Sequence, residues 1–486
     1  MKGILCYLEE SARKFPDKTA VSDRDKSYTF SQLREGAARL AAAVDPSYTG
    51  KPVLVFCDRS ADTVLMILAV LMSGNFYLPV DPDLPEEKLK KIILDAAPEY
   101  AFGAPAYRDR FTGVYLTPAD MGDAVRETPR SAEDTPLYLV YTSGSTGTPK
   151  GVLKSHGGMI DFAETFCGVF DITEKDVLGN QTPFFFDASA KDLYIMLKTG
   201  AALEVIPTEK FAMPPELIDY MNERRVSVIL WVPTAYTVVA KLRTFSFVKP
   251  ETLRRAFFVG EVMPVKTLAY WRKNLPDVRF VNLYGQSEIA GVCCCHEITG
   301  DLPDILPLGK ALPNCRVCLM RDGTPVTEAG QTGELYIASP ALALEYYHDA
   351  EKTAASFVTA DFGQGAVRAF RTGDLAAYNE KGELVFVSRA DFQIKYGGHR
   401  IELGEIEAAA NALPGVARCG CIYDKEKEKI VLFAEAEEGV TGGDIRRMLK
   451  EKLSAYMIPH RVEVLDKLPQ NANGKIDRAA LAGKGK

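Results

Sequence analysis

Little in this chain points to a polyanionic partner or a membrane. Its 58 Lys and Arg stand against 65 Asp and Glu, a formal net charge of −7. That balance leaves no general basic footprint for nucleic acid or an anionic bilayer. Long apolar runs are also missing. The longest, Val64-Leu65-Met66-Ile67-Leu68-Ala69-Val70-Leu71-Met72, is far short of the roughly 20 residues that cross a bilayer, and reads as a buried helix. The N-terminal stretch Met1-Lys2-Gly3-Ile4-Leu5-Cys6-Tyr7-Leu8-Glu9-Glu10 turns acidic too early for a secretory signal. Histidines number five, and no pair stands at finger spacing beside the cysteines. Cys293, Cys294 and Cys295 are consecutive and would aim in different directions, while Cys315, Cys318, Cys419 and Cys421 fall in strand-like runs. Ten thiols without a secretion signal fit a reducing cytoplasm. No repeat or low-complexity segment interrupts the chain. What is present is ordinary for a globular protein, 47% apolar and 25% charged residues, at a length that suggests about two to four domains.

Strand and helix signals alternate through the first 230 residues. Val53-Leu54-Val55-Phe56 reads as a buried strand, and Ser31 can cap the helix that follows Phe30. Further strands are expected near Tyr77–Pro82, Val114–Leu116, Leu137–Tyr141, Ala202–Ile206 and Val226–Leu230, with a helix over 157–170. This rhythm predicts α/β layering with mostly parallel strands. From about Asn314 to Arg389 the pattern changes to short strands separated by Asp322-Gly323 and Lys381-Gly382, which predicts antiparallel hairpins. The last hundred residues read as a small α+β unit. The expected division is therefore 1–390 and 391–486, with the boundary near Ser388–Phe392.

The chain is organised around Tyr141-Thr142-Ser143-Gly144-Ser145-Thr146-Gly147-Thr148-Pro149-Lys150-Gly151, which follows the apolar run Leu137-Tyr138-Leu139-Val140. So polar and slight a run cannot build a packed element. It offers backbone N–H groups, hydroxyls and one ammonium, the chemistry of a loop around phosphate oxygens. It is not a Walker A loop, because no Gly-Lys-Ser/Thr closes it. By itself it also has a plainer reading, a flexible surface linker.

This run resembles the signature loop of the adenylate-forming superfamily, which includes acyl-CoA synthetases, luciferases and amino-acid adenylation domains. More motifs of that family recur in order. Phe184-Phe185-Phe186-Asp187-Ala188-Ser189 places a carboxylate after three aromatics, where it needs a cationic partner. By resemblance that partner is a substrate α-ammonium; by local chemistry Asp187 also reads as a helix cap. Asn282-Leu283-Tyr284-Gly285-Gln286-Ser287-Glu288 resembles the motif that stacks adenine on the tyrosine and holds Mg²⁺ on the glutamate, although Gln286 and Ser287 replace the usual Pro and Thr. Phe370-Arg371-Thr372-Gly373-Asp374 implies a turn Asp that accepts ribose hydroxyls. Ser388-Arg389-Ala390-Asp391 resembles the hinge, with Arg389 on the nucleotide and Asp391 free to absorb a large backbone rotation. Asn473-Gly474-Lys475-Ile476-Asp477-Arg478 implies Lys475 as the catalytic cation; taken alone, an exposed Lys near a C-terminus is usually solvated.

Each motif has a bland reading, but five in the family order on one chain do not. The resemblance implies a large N-terminal region of layered α/β subdomains with a small β-rich subdomain, plus a small mobile α+β lid carrying Lys475. It implies ATP and Mg²⁺ as cofactors, with Lys475, Thr142 and Glu288 catalytic and Glu288 on the metal. The implied nucleotide set is Thr142, Ser143, Gly144, Ser145, Thr146, Gly147, Lys150, Gly260, Glu261, Asn282, Tyr284, Gly285, Asp374, Arg389 and Lys475. The implied substrate pocket is Asp187, Ala188, Lys191, Leu230, Phe257, Val259, Leu283, Gly291 and Val292. Asp187 points to an amino acid, so the expected reaction gives aminoacyl-AMP and pyrophosphate. The aminoacyl group then passes to the phosphopantetheine thiol of a carrier protein. The chain ends soon after Lys475, so that carrier is expected in trans, with no nucleic acid and no membrane insertion involved. A D-alanine–carrier protein ligase and an acyl- or aryl-CoA synthetase stay open as alternatives. Lys191 is the outlier in an apolar pocket. It reads as a partner for an acidic substrate side chain, as a surface Lys that Asp192 neutralises, or as half of an internal salt bridge.

Overall fold

The structure, a computed structural model, describes residues 3–142, 149–363, 365–389, 393–424, 427–469, 476 and 478–484. It divides into two compact units. One comprises Met1–Pro82, Ala97–Val140 and Gly151–Ala390, and the other Asp83–Ala96, Tyr141–Lys150 and Asp391–Lys486.

The first unit is built on two largely parallel sheets. In one, strands Arg279–Tyr284, Arg255–Val259, Val228–Trp231, Val177–Asn180, Ala202–Val205 and Thr19–Ser22 lie side by side in parallel. Antiparallel Cys294–Glu297 and Ser27–Thr29 flank them. In the other, Phe76–Val80, Pro52–Phe56, Tyr100–Phe102 and Val114–Leu116 run parallel, with Pro136–Thr142 and Lys150–Ser155 beyond them. The central strands are apolar along their whole length because both faces are covered. Helix Ala61–Met72 shows the same logic: it is apolar nearly all round, and all of its residues except Asp62 are buried. One continuous core joins both sheets to this helix and to Phe30–Ala41, His156–Phe170 and Asp187–Thr199.

Helix Phe30–Ala41 is capped by Thr29, not by Ser31. Gln32 stands three residues after Thr29 and closes a reciprocal capping box, so the helix begins at Phe30, before Ser31. The third sheet is antiparallel, as the turn signals predict: Thr324–Val326, Arg316–Arg321, Thr332–Ala338, Ala366–Tyr378 and Phe357–Asp361 in spatial order, with Leu384–Arg389 also on Ala366–Tyr378. The motif ending in Asp374 therefore lies inside a long strand, not in a turn. Its irregularity is a bulge, where the register against Thr332–Ala338 shifts and Gly373 takes φ +70°.

In the second unit, hairpin Gln393–Tyr396/His399–Glu402 leads into helix Leu403–Asn411. Strands Val416–Asp424 and Lys429–Ala436 pair antiparallel, and Arg461–Val464 adds in parallel. Helix Gly442–Leu449 follows Lys429–Ala436, and a single 3₁₀ turn at Ala455–Met457 comes before Arg461–Val464. A separate core around Ile406, Leu432 and Leu449 holds this unit together.

Candidate active site

Most of the expected site residues of the first unit sit at the C-terminal ends of its parallel strands, the edge where open α/β sheets bind ligands. Leu230, Phe257, Val259, Leu283 and Tyr284 belong to three neighbouring strands, with Leu230 paired to Phe257 and Val259 to Leu283. Gly260 and Gly285 directly follow two of those strands. Glu261 accepts from the Thr234 hydroxyl at 2.8 Å, and Asn282 donates to the Pro307 carbonyl at 2.7 Å. Phe257 is fully enclosed, packed between Phe166 and Phe170 at 5.2 and 4.8 Å. Val292 is buried as well. Gly291 has φ +77°, and a Cβ there would stand 2.1 Å from the Phe162 ring. That position is closed to any side chain while Phe162 keeps its place.

Asp187 is the first residue of helix Asp187–Thr199, with Ala188 next and Lys191 one turn on. Its carboxylate does not cap the helix; it reaches outward. Tyr138 donates its hydroxyl to Oδ1 at 2.7 Å, and the Lys154 ammonium lies 3.4 Å from the same oxygen. Lys154 is fully buried, and burial lowers its pKa against the opposing pull of Asp187 and Glu288. Lys191 and Asp192 are 3% and 2% exposed, so the surface reading of this pair is wrong. The helix that carries them is packed on nearly every face. Burial lowers the Lys191 pKa, opposed by Asp187 and Asp192 and reinforced by Lys154. Burial also raises the Asp192 carboxyl to about 7, although Asn180 donates to it at 2.9 Å. Lys191 makes no hydrogen bond or ion pair with a described residue.

At the other end, Tyr284, Asp374 and Arg389 come together. Asp374 is 1% exposed. Arg389 donates to its Oδ1 at 2.6 Å, a contact set by the direct pairing of Asp374 with Arg389 across two strands. The Tyr284 hydroxyl and Gln286 Nε2 both donate to Oδ2, the latter at 2.7 Å. Gln286 also reaches the Thr372 carbonyl at 3.1 Å. In the sequence Gln286 stands out only as a departure from the family motif, and that departure is the signal. Burial foremost, and then Asp374, raise the Tyr284 phenol far above its ordinary value.

Glu288 is fully buried and accepts from the Tyr346 hydroxyl at 2.7 Å. Among the described residues no group of three or more His, Cys, Asp or Glu could hold a metal by itself. Thr142 ends strand Pro136–Thr142, and its buried hydroxyl has no partner among the described residues. Lys150 opens strand Lys150–Ser155. Ser143, Gly144, Ser145, Thr146, Gly147, Asp391 and Lys475 lie outside the described residues.

Comparison with known proteins fixes the class. The AMP-binding enzyme family matches residues 8–347, and the AMP-binding enzyme C-terminal domain matches 405–475. The chain belongs to the AMP-binding enzyme family, ATP-dependent ligases that form adenylates. It is 30% identical over 98% of its length to a dimodular nonribosomal peptide synthase of Bacillus subtilis (strain 168), and spans only 20% of that much longer protein. It is 29% identical to a D-alanine–D-alanyl carrier protein ligase of Bacillus cytotoxicus, and 98% of each chain is covered. In fold it is similar to holo-PA1221, a nonribosomal peptide synthetase protein with adenylation and carrier domains. The TM-score is 0.87 at 24% identity, over 99% of this chain and 84% of that one. No helix among the described residues is long and apolar enough to cross a membrane.

Proposed function

We propose that this enzyme activates an amino acid as aminoacyl-AMP and passes it to the phosphopantetheine thiol of a carrier protein acting in trans. The observation that carries the reading is Asp187, an acidic group at a helix start, on a half-buried site among aromatics and strand ends. Such a carboxylate is suited to an α-ammonium. A substrate carboxylate oxygen attacks the α-phosphorus of ATP, the bond to pyrophosphate breaks, and the thiol later attacks the mixed anhydride while AMP leaves. Tyr284 lies on the adenine, Asp374 and Arg389 take the ribose side, and Thr142 with the loop after it surrounds phosphate. Glu288, an anionic oxygen donor, is of the type that holds Mg²⁺, which would offset phosphate charge. Lys475 supplies the cation for the charge that develops in transfer.

Two substrate readings follow. The match to the carrier ligase over nearly its whole length favours D-alanine. Buried Lys191, with no partner among the described residues, favours an amino acid with a side-chain carboxylate. ATP–pyrophosphate exchange over a panel of amino, fatty and aryl acids tests the activity. Repeating it with Lys191→Met on glutamate, aspartate and both alanine enantiomers separates the two readings. Alanine preference unchanged by the substitution would remove Lys191 from substrate recognition, and exchange only with fatty or aryl acids would overturn the amino-acid reading.

A further inference from the structure

Strand Lys150–Ser155 carries a lysine that none of the motifs includes. Lys154 is enclosed completely, and its ammonium donates no aligned hydrogen bond to a described residue. The head group lies 5.8 Å from the centre of the Tyr138 ring and 3.4 Å from Asp187 Oδ1. A cation so enclosed is held only by compensating charge. Asp187 supplies it and stays open to the pocket, with its side chain 12% exposed against 1% for Lys154. Lys154 is thus behind the carboxylate, where a ligand does not reach it. Tyr138 donates to the same oxygen, and no hydrogen bond from a described residue reaches Oδ2. One oxygen of Asp187 is held by two groups, and the other accepts no hydrogen bond from a described residue.

Resting on the amino-acid reading above, we infer that Lys154 is a positioning residue that, with Tyr138, holds one oxygen of Asp187 and commits the other to the substrate α-ammonium. The physical reason is that an ammonium 3.4 Å away and a phenol donating at 2.7 Å to the same oxygen fix the orientation of the carboxylate before a ligand arrives. Glu288 also acts on Lys154, and Lys191, one turn on from Asp187, acts on both Asp187 and Lys154.

The test uses the full chain with Lys154→Met and Lys154→Arg, followed by pyrophosphate exchange with the best amino acid. For Lys154→Met the amino-acid KM rises about 10–100-fold, with kcat and the KM for ATP little changed. Lys154→Arg, which keeps the charge, holds the amino-acid KM close to wild type. An amino-acid KM unmoved in Lys154→Met, or equal rises in both KM values, overturns the inference. Tyr138→Phe keeps the ring and deletes only the second donor to Oδ1, so it serves if the methionine variant does not fold. Its amino-acid KM rises about 3–10-fold, and an unchanged value counts against the inference equally. Wild-type exchange with fatty or aryl acids alone would instead overturn the activity reading on which this one rests.

Discussion

The two ends of the candidate site treat buried charge in opposite ways. Around Asp374, three side-chain donors converge on one carboxylate: Arg389, Gln286 and Tyr284. A carboxylate has about four acceptor positions, so this end is nearly self-sufficient before any ligand arrives. Around Asp187 the donors are sparse. Lys154 lies 3.4 Å from Asp187 without an aligned hydrogen bond, and Lys191 makes no hydrogen bond or ion pair with a described residue. Networks that are satisfied internally are rigid and specific, whereas charges left short of partners gain most when a ligand supplies them. The Asp374 end is therefore largely pre-built, and on the proposed reading the Asp187 end draws its order from the substrate.

The largest effect that would break this contrast comes from Asp187→Ala. Removing one partner of a buried charge pair costs roughly 3–5 kcal/mol, so kcat/KM for the amino acid should fall at least about a hundredfold. It also leaves Lys154 unpaired, so a lowered thermal midpoint accompanies it. Steady-state exchange kinetics with the best substrate check the first part; undiminished exchange would remove Asp187 from ammonium binding.

A smaller effect is expected from Gln286→Leu at the saturated end. The loss of one hydrogen bond to a charged group is about 1.5–3 kcal/mol, read as a KM for ATP raised roughly 10–150-fold with the amino-acid KM unchanged. A shift in the amino-acid KM instead would show that the two ends are not separate.

The smallest effect concerns stability alone and calibrates the others. His156 is buried beside the backbone of Ile4, whose N–H donates to Nδ1 at 3.2 Å, and burial lowers its pKa from 6.5 to about 4. The folded form keeps it neutral while the unfolded chain protonates it near 6.5. Its contribution to stability is therefore complete above that ordinary value and is lost as pH falls toward 4. At about pH 5.5 the loss is about 1.4 kcal/mol. Thermal unfolding at about pH 7.5 and about pH 5.5, roughly one unit either side of the ordinary value, checks this, and His156→Gln should flatten the difference.

The layering and the site are legible in the sequence at different depths. Alternating strands, the all-apolar run from Val64 to Met72 and the Gly/Asp turns predict two sheet types in the right places, because periodicity and turn chemistry are local. Thr29 displaces Ser31 as a cap through a rule three residues long, which the sequence contains but which Ser31's position obscures. Asp374 reads as a turn residue because Thr-Gly-Asp has turn chemistry; the long antiparallel partner strand that turns it into a bulge is remote in the chain. Lys154 is invisible in the sequence for the same reason. Its partner is on a different element, and nothing about Leu153-Lys154-Ser155 distinguishes a buried lysine from one at a strand edge. Lys191 stands out as anomalous, but only packing decides that both it and Asp192 are interior.

If Gly291 lines the substrate pocket, as the resemblance implies, it and Phe162 carry a consequence for how that pocket can change over generations. The ring of Phe162 occupies the volume that any side chain at 291 would claim, since a Cβ would sit 2.1 Å away. Changes at these two positions are thus order-dependent. A larger residue at 291 is penalised until 162 has become smaller, whereas a smaller residue at 162 opens a cavity costing about 3–5 kcal/mol if it goes as far as alanine. A lineage, or a library built one position at a time, meets a fitness valley in both directions. New specificity at this wall is reached only by paired substitution, and libraries that vary 162 and 291 together should recover variants that neither single-site library contains.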